Sequence, residues 1–353
     1  QKMSRSTTHE LQPQTGHDGL SRRLAVLACK GAVRTTLQDA FRQDFEAEAP
    51  QPTELATYRL WSGLNKASQD RMWSLLSEQI DADRERIDAV ARSACQSASG
   101  SLTLGEVEQV PDYQHRTAIH GQPGGYMLDR GNADLGAGVL YEAGGNLYAL
   151  GQGIGKRDSK GERLIAYIRE QFPELDPRRI LEMGCSAGGQ STDYAGAFHD
   201  AEVHAIDLSP GMLRYAHARA ELLGSPVHFH QQDAGATAFP AGHFDLIVSH
   251  NLLHEVAAEH APRIMAECYR QLSPGGICIH QDVPIQRGRF DEFQQFLSEW
   301  QVDNNDEPFW LDFADADLPA LLIAAGFEAD KVDARYLEAI DGPIPWYVVT
   351  AVR

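Results

Sequence analysis

Three features of the chain carry residue types at spacings that could do chemistry. The first is ILEMGCSAGGQS, residues 180–191, where an apolar run ends in Glu182 and Gly184, Gly188 and Gly189 lead into a helical pattern. Glycines after a strand let the backbone approach a ligand, and open α/β sheets bind ligands at the carboxyl ends of their strands. The spacing G-x-x-x-G-G is not the G-x-G-x-x-G of a dinucleotide fingerprint, and no Lys-Ser or Lys-Thr follows, which excludes a P-loop. The second feature is a pair of acids. Asp207 lies 23 residues beyond Gly184, where a carboxylate can accept both hydroxyls of a ribose, and Asp233 precedes Ala234, a position suited to an adenine amino group. The third is SHNLLHEV, residues 249–256, in which His254 is the first candidate for a base or orienting group, with Glu255, Asn251 and His250 beside it. A strand-capping histidine packed on a ligand is the competing reading.

These residues need a scaffold, and the sequence from Arg163 onward alternates strand and helix as a parallel sheet with crossover helices requires. ERLIAYIREQF is an amphipathic helix and RRILEMG a short buried strand. SAGGQSTDYAGAF opens a helix, EVHAID is the second strand, and PGMLRYAHARAELLG a helix closed by Gly224. VHFHQQD, HFDLIVSHN and ICIHQDVP read as the next strands, and EADKVDARYLEAI and IPWYVVTAVR close the sheet. The fold class is α/β: a Rossmann-like, doubly wound, seven-stranded sheet, mostly parallel with the last strand antiparallel, and an N-terminal mainly helical cap. Residues 1–19 form a polar N-terminal stretch open to disorder. Residues 20–157 are the cap and substrate region, including a glycine- and aromatic-rich segment read as irregular. Residues 158–353 are the sheet domain, with a substrate-side insertion at 284–314.

Composition narrows the partners. Lys and Arg number 31 against 50 Asp and Glu, a net charge of −19, which leaves counterion release without a source and argues against a nucleic-acid partner. Cys29, Cys95, Cys185, Cys268 and Cys278 contain no C-x-x-C pair and read as free thiols of a reducing compartment. No run approaches a membrane span, and the N-terminus lacks the apolar core of a signal peptide, so the expectation is a cytoplasmic protein with no membrane partner. Gln1 and Lys2, ahead of Met3, are set aside.

In order and spacing, the segment 180–283 resembles the class I S-adenosylmethionine-dependent methyltransferases, a resemblance extending over roughly 160–353. It rests on the E-x-G-x-x-x-G of Glu182, Gly184 and Gly188, the acid of VHAIDLSPGML, the DA of QQDAGATAFP, the FDLIVSHNLLHE strand and the LSPGG turn. The resemblance implies S-adenosylmethionine as cofactor, S-adenosylhomocysteine as product and no metal. Carried over by position, it puts Glu182, Gly184, Gly188, Asp207, Leu208, Asp233 and Ala234 around the cofactor, with Cys185, Ser186, Met212, His250 and Asn251 alongside. Ser186 departs from the commoner Gly-x-Gly-x-Gly. A small hydroxyl side chain still allows close approach and could hydrogen-bond the amino-acid moiety. Cys185 reads as a buried loop residue, since nothing near it in sequence would lower its pKa.

The implied reaction is in-line methyl transfer to O or N of a small molecule, a metabolite or natural-product intermediate. A base is needed only where the acceptor must lose a proton, and His254 and Glu255 are the candidates. His250 and His254 stand four apart, a metal-ligand spacing on a helix, but no third ligand follows at a recognisable spacing. His228 and His230 fall on one strand face and read as structural. Pocket walls must come from the cap and the insertion. His115, His120, Tyr126, Tyr141, Tyr148, Trp300 and Trp310 are the candidate substrate contacts, with Phe293 beside them; ordinary packing is the competing reading for each aromatic. A non-methylating use of the cofactor and a non-catalytic partner subunit are the alternatives, a nicotinamide oxidoreductase ranks below them, and a homodimer is left open.

Overall fold

The computed structural model describes residues 9–48, 51–105, 110–131, 134–148, 160–340 and 345–353. Residues 1–8 of the polar stretch and 149–157 of the glycine-rich segment lie outside the described residues. The cap begins with α1 (His17–Ala32), which runs through a π turn into α2 (Gln38–Glu48), followed by the 39-residue α3 (Ala56–Ala94). Met72, Leu75, Leu76, Ile80 and Ile87 form the buried stripe of α3, at the three- and four-residue spacing of one helix face. On α1 the buried positions are Val26 and Lys30, whereas Leu20 and Leu24 are exposed.

A strand of three residues, β1 (Ser101–Thr103), and a short α4 (Asp112–Arg116) lead to α5 (Gly136–Tyr148). The stretch expected to be irregular therefore contains a helix, and its glycines are there for space. A Cβ on Gly138 would lie 2.2 Å from Tyr215 Cβ, and one on Gly144 would lie 2.3 Å from the ring of Trp73. α5 is wedged so closely between neighbours that side chains on those faces are excluded.

The sheet domain follows as α6 (Lys160–Gln171), β2 (Arg179–Met183), α7 (Gly189–Ala197), β3 (Glu202–Asp207), α8 (Pro210–Leu222), β4 (His228–Gln231) and β5 (Phe244–His250). It continues with α9 (Ala261–Gln271), β6 (Leu272–Asp282), α10 (Glu292–Asn304), α11 (Trp310–Asp315), α12 (Leu318–Ala325), β7 (Val332–Leu337) and β8 (Trp346–Val352). Ser209 caps α8 by accepting a hydrogen bond from the Met212 amide, with Pro210 at the first helical position, and Asp291 and Gln294 form a reciprocal capping box on α10. Side chains alternate across β5 from Leu246 onward: Leu246 and Val248 join a core with α6, α7 and α8, while Ile247 joins one with α9 and α12, as does Phe244 before a register shift in the strand.

Strand order is β1-β4-β3-β2-β5-β6-β8-β7, with β8 running antiparallel to the other strands. The expected seven strands are present and an eighth joins them: β1, from the cap, pairs with β4 through Ser101 and His228. Three residues with no alternation of burial leave no periodic signal to read. From β2 the chain moves outward to β3 and β4, then crosses back to β5 and β6, so the order reverses between β2 and β5. Among the described residues no helix is long and apolar enough to cross a membrane.

Candidate active site

At that reversal, beyond the carboxyl ends of β2 and β5, lies a cavity of about 500 Å³, where doubly wound sheets bind ligands. Gly184 opens it with φ +69°, and a Cβ there would stand 2.7 Å from Leu252 Cδ1, so any side chain would strain the backbone and press on the loop after β5. The Ser186 amide donates to Asp207 Oδ2 at 2.9 Å and the Ser209 amide to Asp207 Oδ1 at 2.9 Å, tying the loops after β2 and β3 together through one carboxylate. Burial raises the pKa of that carboxyl, opposed by the backbone donors of Ser209, Ser186 and Leu208. Gly184, Ser186, Asp207, Leu208, Asp233, Ala234 and Asn251 all line the cavity.

Other residues expected at the cofactor act from behind. Glu182 is fully buried in β2 and accepts from the Ser191 hydroxyl of α7. Cys185 is buried, its thiol pushed well up by burial and by Asp207 and Glu182, and its amide donates to the Ile206 carbonyl. Gly188 is the left-handed N-cap of α7, and Met212 is buried in α8. His250 is buried against Tyr194, whose hydroxyl meets its Nε2 at 2.7 Å, so it does not share a helical face with His254. None of these five reaches the cavity lining. His228 and His230 also lie elsewhere, with His230 3.0 Å from His204 Nδ1.

His254 sits in the short turn after β5, its Nδ1 donating to Asp282 Oδ1 at 2.5 Å. Asp282 also accepts from the amides of Leu253 and Val283, which fixes its carboxylate at the end of β6. On its other side His254 Nε2 lies 3.4 Å from Glu255 Oε1, and that oxygen accepts from the Tyr126 hydroxyl at 3.2 Å. Burial alone would lower the His254 pKa, but the carboxylates of Asp282 and Glu255 outweigh it and raise the value well above that of a free imidazole. The basic atom without a hydrogen-bond partner in this row is Glu255 Oε2.

Of the candidate substrate contacts, His120, Tyr126, Tyr141 and Trp310 line the cavity. Tyr141 is pushed up to about 12 by burial, against a hydrogen bond from Ser186, and the Trp310 indole N–H donates to Ser298 Oγ at 2.6 Å. His115 is exposed on α4 and does not line the cavity; Tyr113 and Gln114 of the same helix do. Trp300 packs on Trp61 at 4.9 Å and donates to Ser62 Oγ at 2.9 Å, and Phe293 meets Phe41 at 5.2 Å, so both join insertion to cap. Tyr148 ends α5, and its side chain is outside the described residues.

Asp282 and Glu307 are the site residues the sequence reading passed over. Asp282 carries a legible signal, an acid ending the ICIHQDVP strand. Glu307 carries none, being one acid among several in the insertion. It is 1% exposed, and its Oε1 lies 2.8 Å from His120 Nδ1. The four described non-glycine residues with positive φ are His120, Ser186, Asn251 and Asp306. Three line the cavity and the fourth adjoins Glu307, so backbone strain is concentrated at one place, as at functional sites. Among the described residues lining the cavity, Asp207, Asp233, Glu255 and Glu307 are acidic and none is Lys or Arg.

Residues 180–276 match the family model for a methyltransferase domain. The chain is 31% identical over 130 residues to a phthiotriol/phenolphthiotriol dimycocerosates methyltransferase of Mycobacterium leprae, covering 36% of this chain and 43% of that protein. It is 33% identical over 119 residues to the demethylmenaquinone methyltransferase of Thermus thermophilus, covering 33% and 53%. The match thus spans about half of these curated relatives or less. An O-methyltransferase family protein from Burkholderia thailandensis superposes with a TM-score of 0.44 at 14% identity over 60% of each chain.

Proposed function

From residues 180–276 as a methyltransferase domain of the class I, S-adenosylmethionine-dependent family, we propose that the protein transfers a methyl group from S-adenosylmethionine to an oxygen or nitrogen of a small molecule enclosed beneath its cap. One observation carries this reading: the residues at the ends of β2, β3 and β4 share a single cavity with Glu255 and with His254, which Asp282 anchors from behind. The glycine at φ +69° and the half-buried carboxylate ending β3 suit a cofactor laid across these loops. Gly184, Ser186, Asp207 and Leu208 would hold its ribose and methionine portions, and Asp233 and Ala234 its adenine. When bound, S-adenosylmethionine supplies a methyl group already activated by its sulfonium.

What the chain adds is orientation, exclusion of water and a destination for a proton. Glu255 Oε2 takes the acceptor's proton, and His254, anchored by Asp282, steadies the carboxylate through Oε1. Glu255 and Glu307, with no Lys or Arg among the described lining residues, favour a neutral or cationic acceptor over a phosphate or carboxylate.

Calorimetric titration with S-adenosylmethionine and S-adenosylhomocysteine tests the cofactor. Binding is expected for the parent protein and a large loss for Asp207→Ala, with thermal unfolding run alongside because Asp207 also ties two loops. Absence of binding in the parent, or equal binding in a folded Asp207→Ala, would sink the assignment. Label from methyl-labelled cofactor must then appear in a product when a broad cell extract is supplied.

A further inference from the structure

We propose that His120, Glu255 and Glu307 form a divalent-cation site on the acceptor side of the cavity. The three come from the cap, the turn after β5 and the insertion, and one donor atom from each lies within 4.8 Å of the others. A cation about 2.1 Å from each donor accommodates donor pairs up to about 4.2 Å apart, so small side-chain rotations close the set. Glu307 is 1% exposed with Oε2 lacking any hydrogen-bond partner, and Glu255 Oε2 is likewise buried and unpartnered. Two buried carboxylate oxygens left without donors cost free energy that a bound cation would return.

The backbone holds the set in place. His120 stands at φ +58°, its amide donating to the Asn305 carbonyl at 2.9 Å and its carbonyl accepting from Trp73 Nε1 at 2.7 Å and Gln69 Nε2 at 2.6 Å. An imidazole with two carboxylates is a donor set for a divalent transition ion such as Zn²⁺ or Mn²⁺, and it would leave coordination positions open toward the cavity. Asp282, Glu255 and Glu307 against the protonated His254 leave a net excess of negative charge beside a cavity with no Lys or Arg among its described lining residues. A divalent ion offsets that excess; an organic ammonium offsets half as much and makes no use of an imidazole lone pair. With the ion in place Glu255 Oε2 would be a ligand rather than the proton acceptor.

The inference rests on the proposed acceptor side of the cavity, but metal uptake is read without methyl transfer, so each reading fails on its own. Untagged protein stripped with a chelator would be titrated with Mn²⁺ and with Zn²⁺ by calorimetry, and its metal content measured after desalting. About one equivalent is expected, with affinity reduced at least 10-fold in Glu307→Gln and in His120→Ala, and with circular dichroism and S-adenosylmethionine binding retained. Uptake well below one equivalent, or uptake unchanged in a folded Glu307→Gln, overturns the site. So does a stripped protein that ignores both metals yet binds ethylammonium in a Glu307-dependent way, which reassigns the carboxylates to a cationic acceptor.

Discussion

At the scale of single residues, the proposed proton acceptor lies one position beyond the residue that the sequence puts first. The sequence makes His254 the first candidate, because imidazole is the usual base at neutral pH. Folding places that imidazole between Asp282 and Glu255, where two carboxylates hold it protonated and leave Glu255 Oε2 as the atom able to accept. Glu255→Gln is therefore expected to lower kcat by about 10²-fold or more, with S-adenosylmethionine affinity retained. An unchanged kcat would mean that the acceptor has no proton to lose. Ser186 is resolved at the same scale. Its φ of +46° supplies the turn a glycine often makes, and its hydroxyl meets Tyr141.

At the scale of elements, the capping and strand-end residues did what their types suggest, whereas the glycine-rich segment did not. Gly138 and Gly144 lie on a packed helix, α5, and only the neighbours Tyr215 and Trp73 explain them. Helix α9 offers a test of how one element is fastened to the next loop. Burial would raise Glu267, but Arg270, the amide and hydroxyl of Thr237 and the Gln271 amide bring it down to about 2 from 4.5. A folded pKa below the unfolded value contributes stability above pH 4.5, lost as pH falls through 4.5 toward 2. Glu267→Gln should therefore lower stability at pH 7 by about 1–3 kcal/mol. Denaturant titrations across pH should show that difference shrinking as pH approaches 2. A difference constant with pH would assign the effect to packing.

At the scale of the whole molecule, cap, insertion and sheet close over one cavity, and the aromatic cluster of Phe41, Trp61, Phe293 and Trp300 fastens insertion to cap. Trp300→Ala is expected to cost about 3–5 kcal/mol and to loosen S-adenosylmethionine less than it loosens the fold, read by chemical denaturation and calorimetry. A small stability loss with a large loss of affinity would place Trp300 in binding after all. The sequence by itself determined the doubly wound domain, the antiparallel last strand and the strand-end residues Gly184, Asp207 and Asp233, because strand periodicity and loop chemistry are local properties of the chain. It could not announce β1, too short to carry a period, nor separate lining residues such as Tyr141 from packing ones such as Trp300, since both are aromatic and part-apolar. Only the tertiary structure decided that His120, Glu255 and Glu307 meet. Convergence of side chains from three distant segments depends on how the cap docks over the sheet, and no spacing along the chain records that.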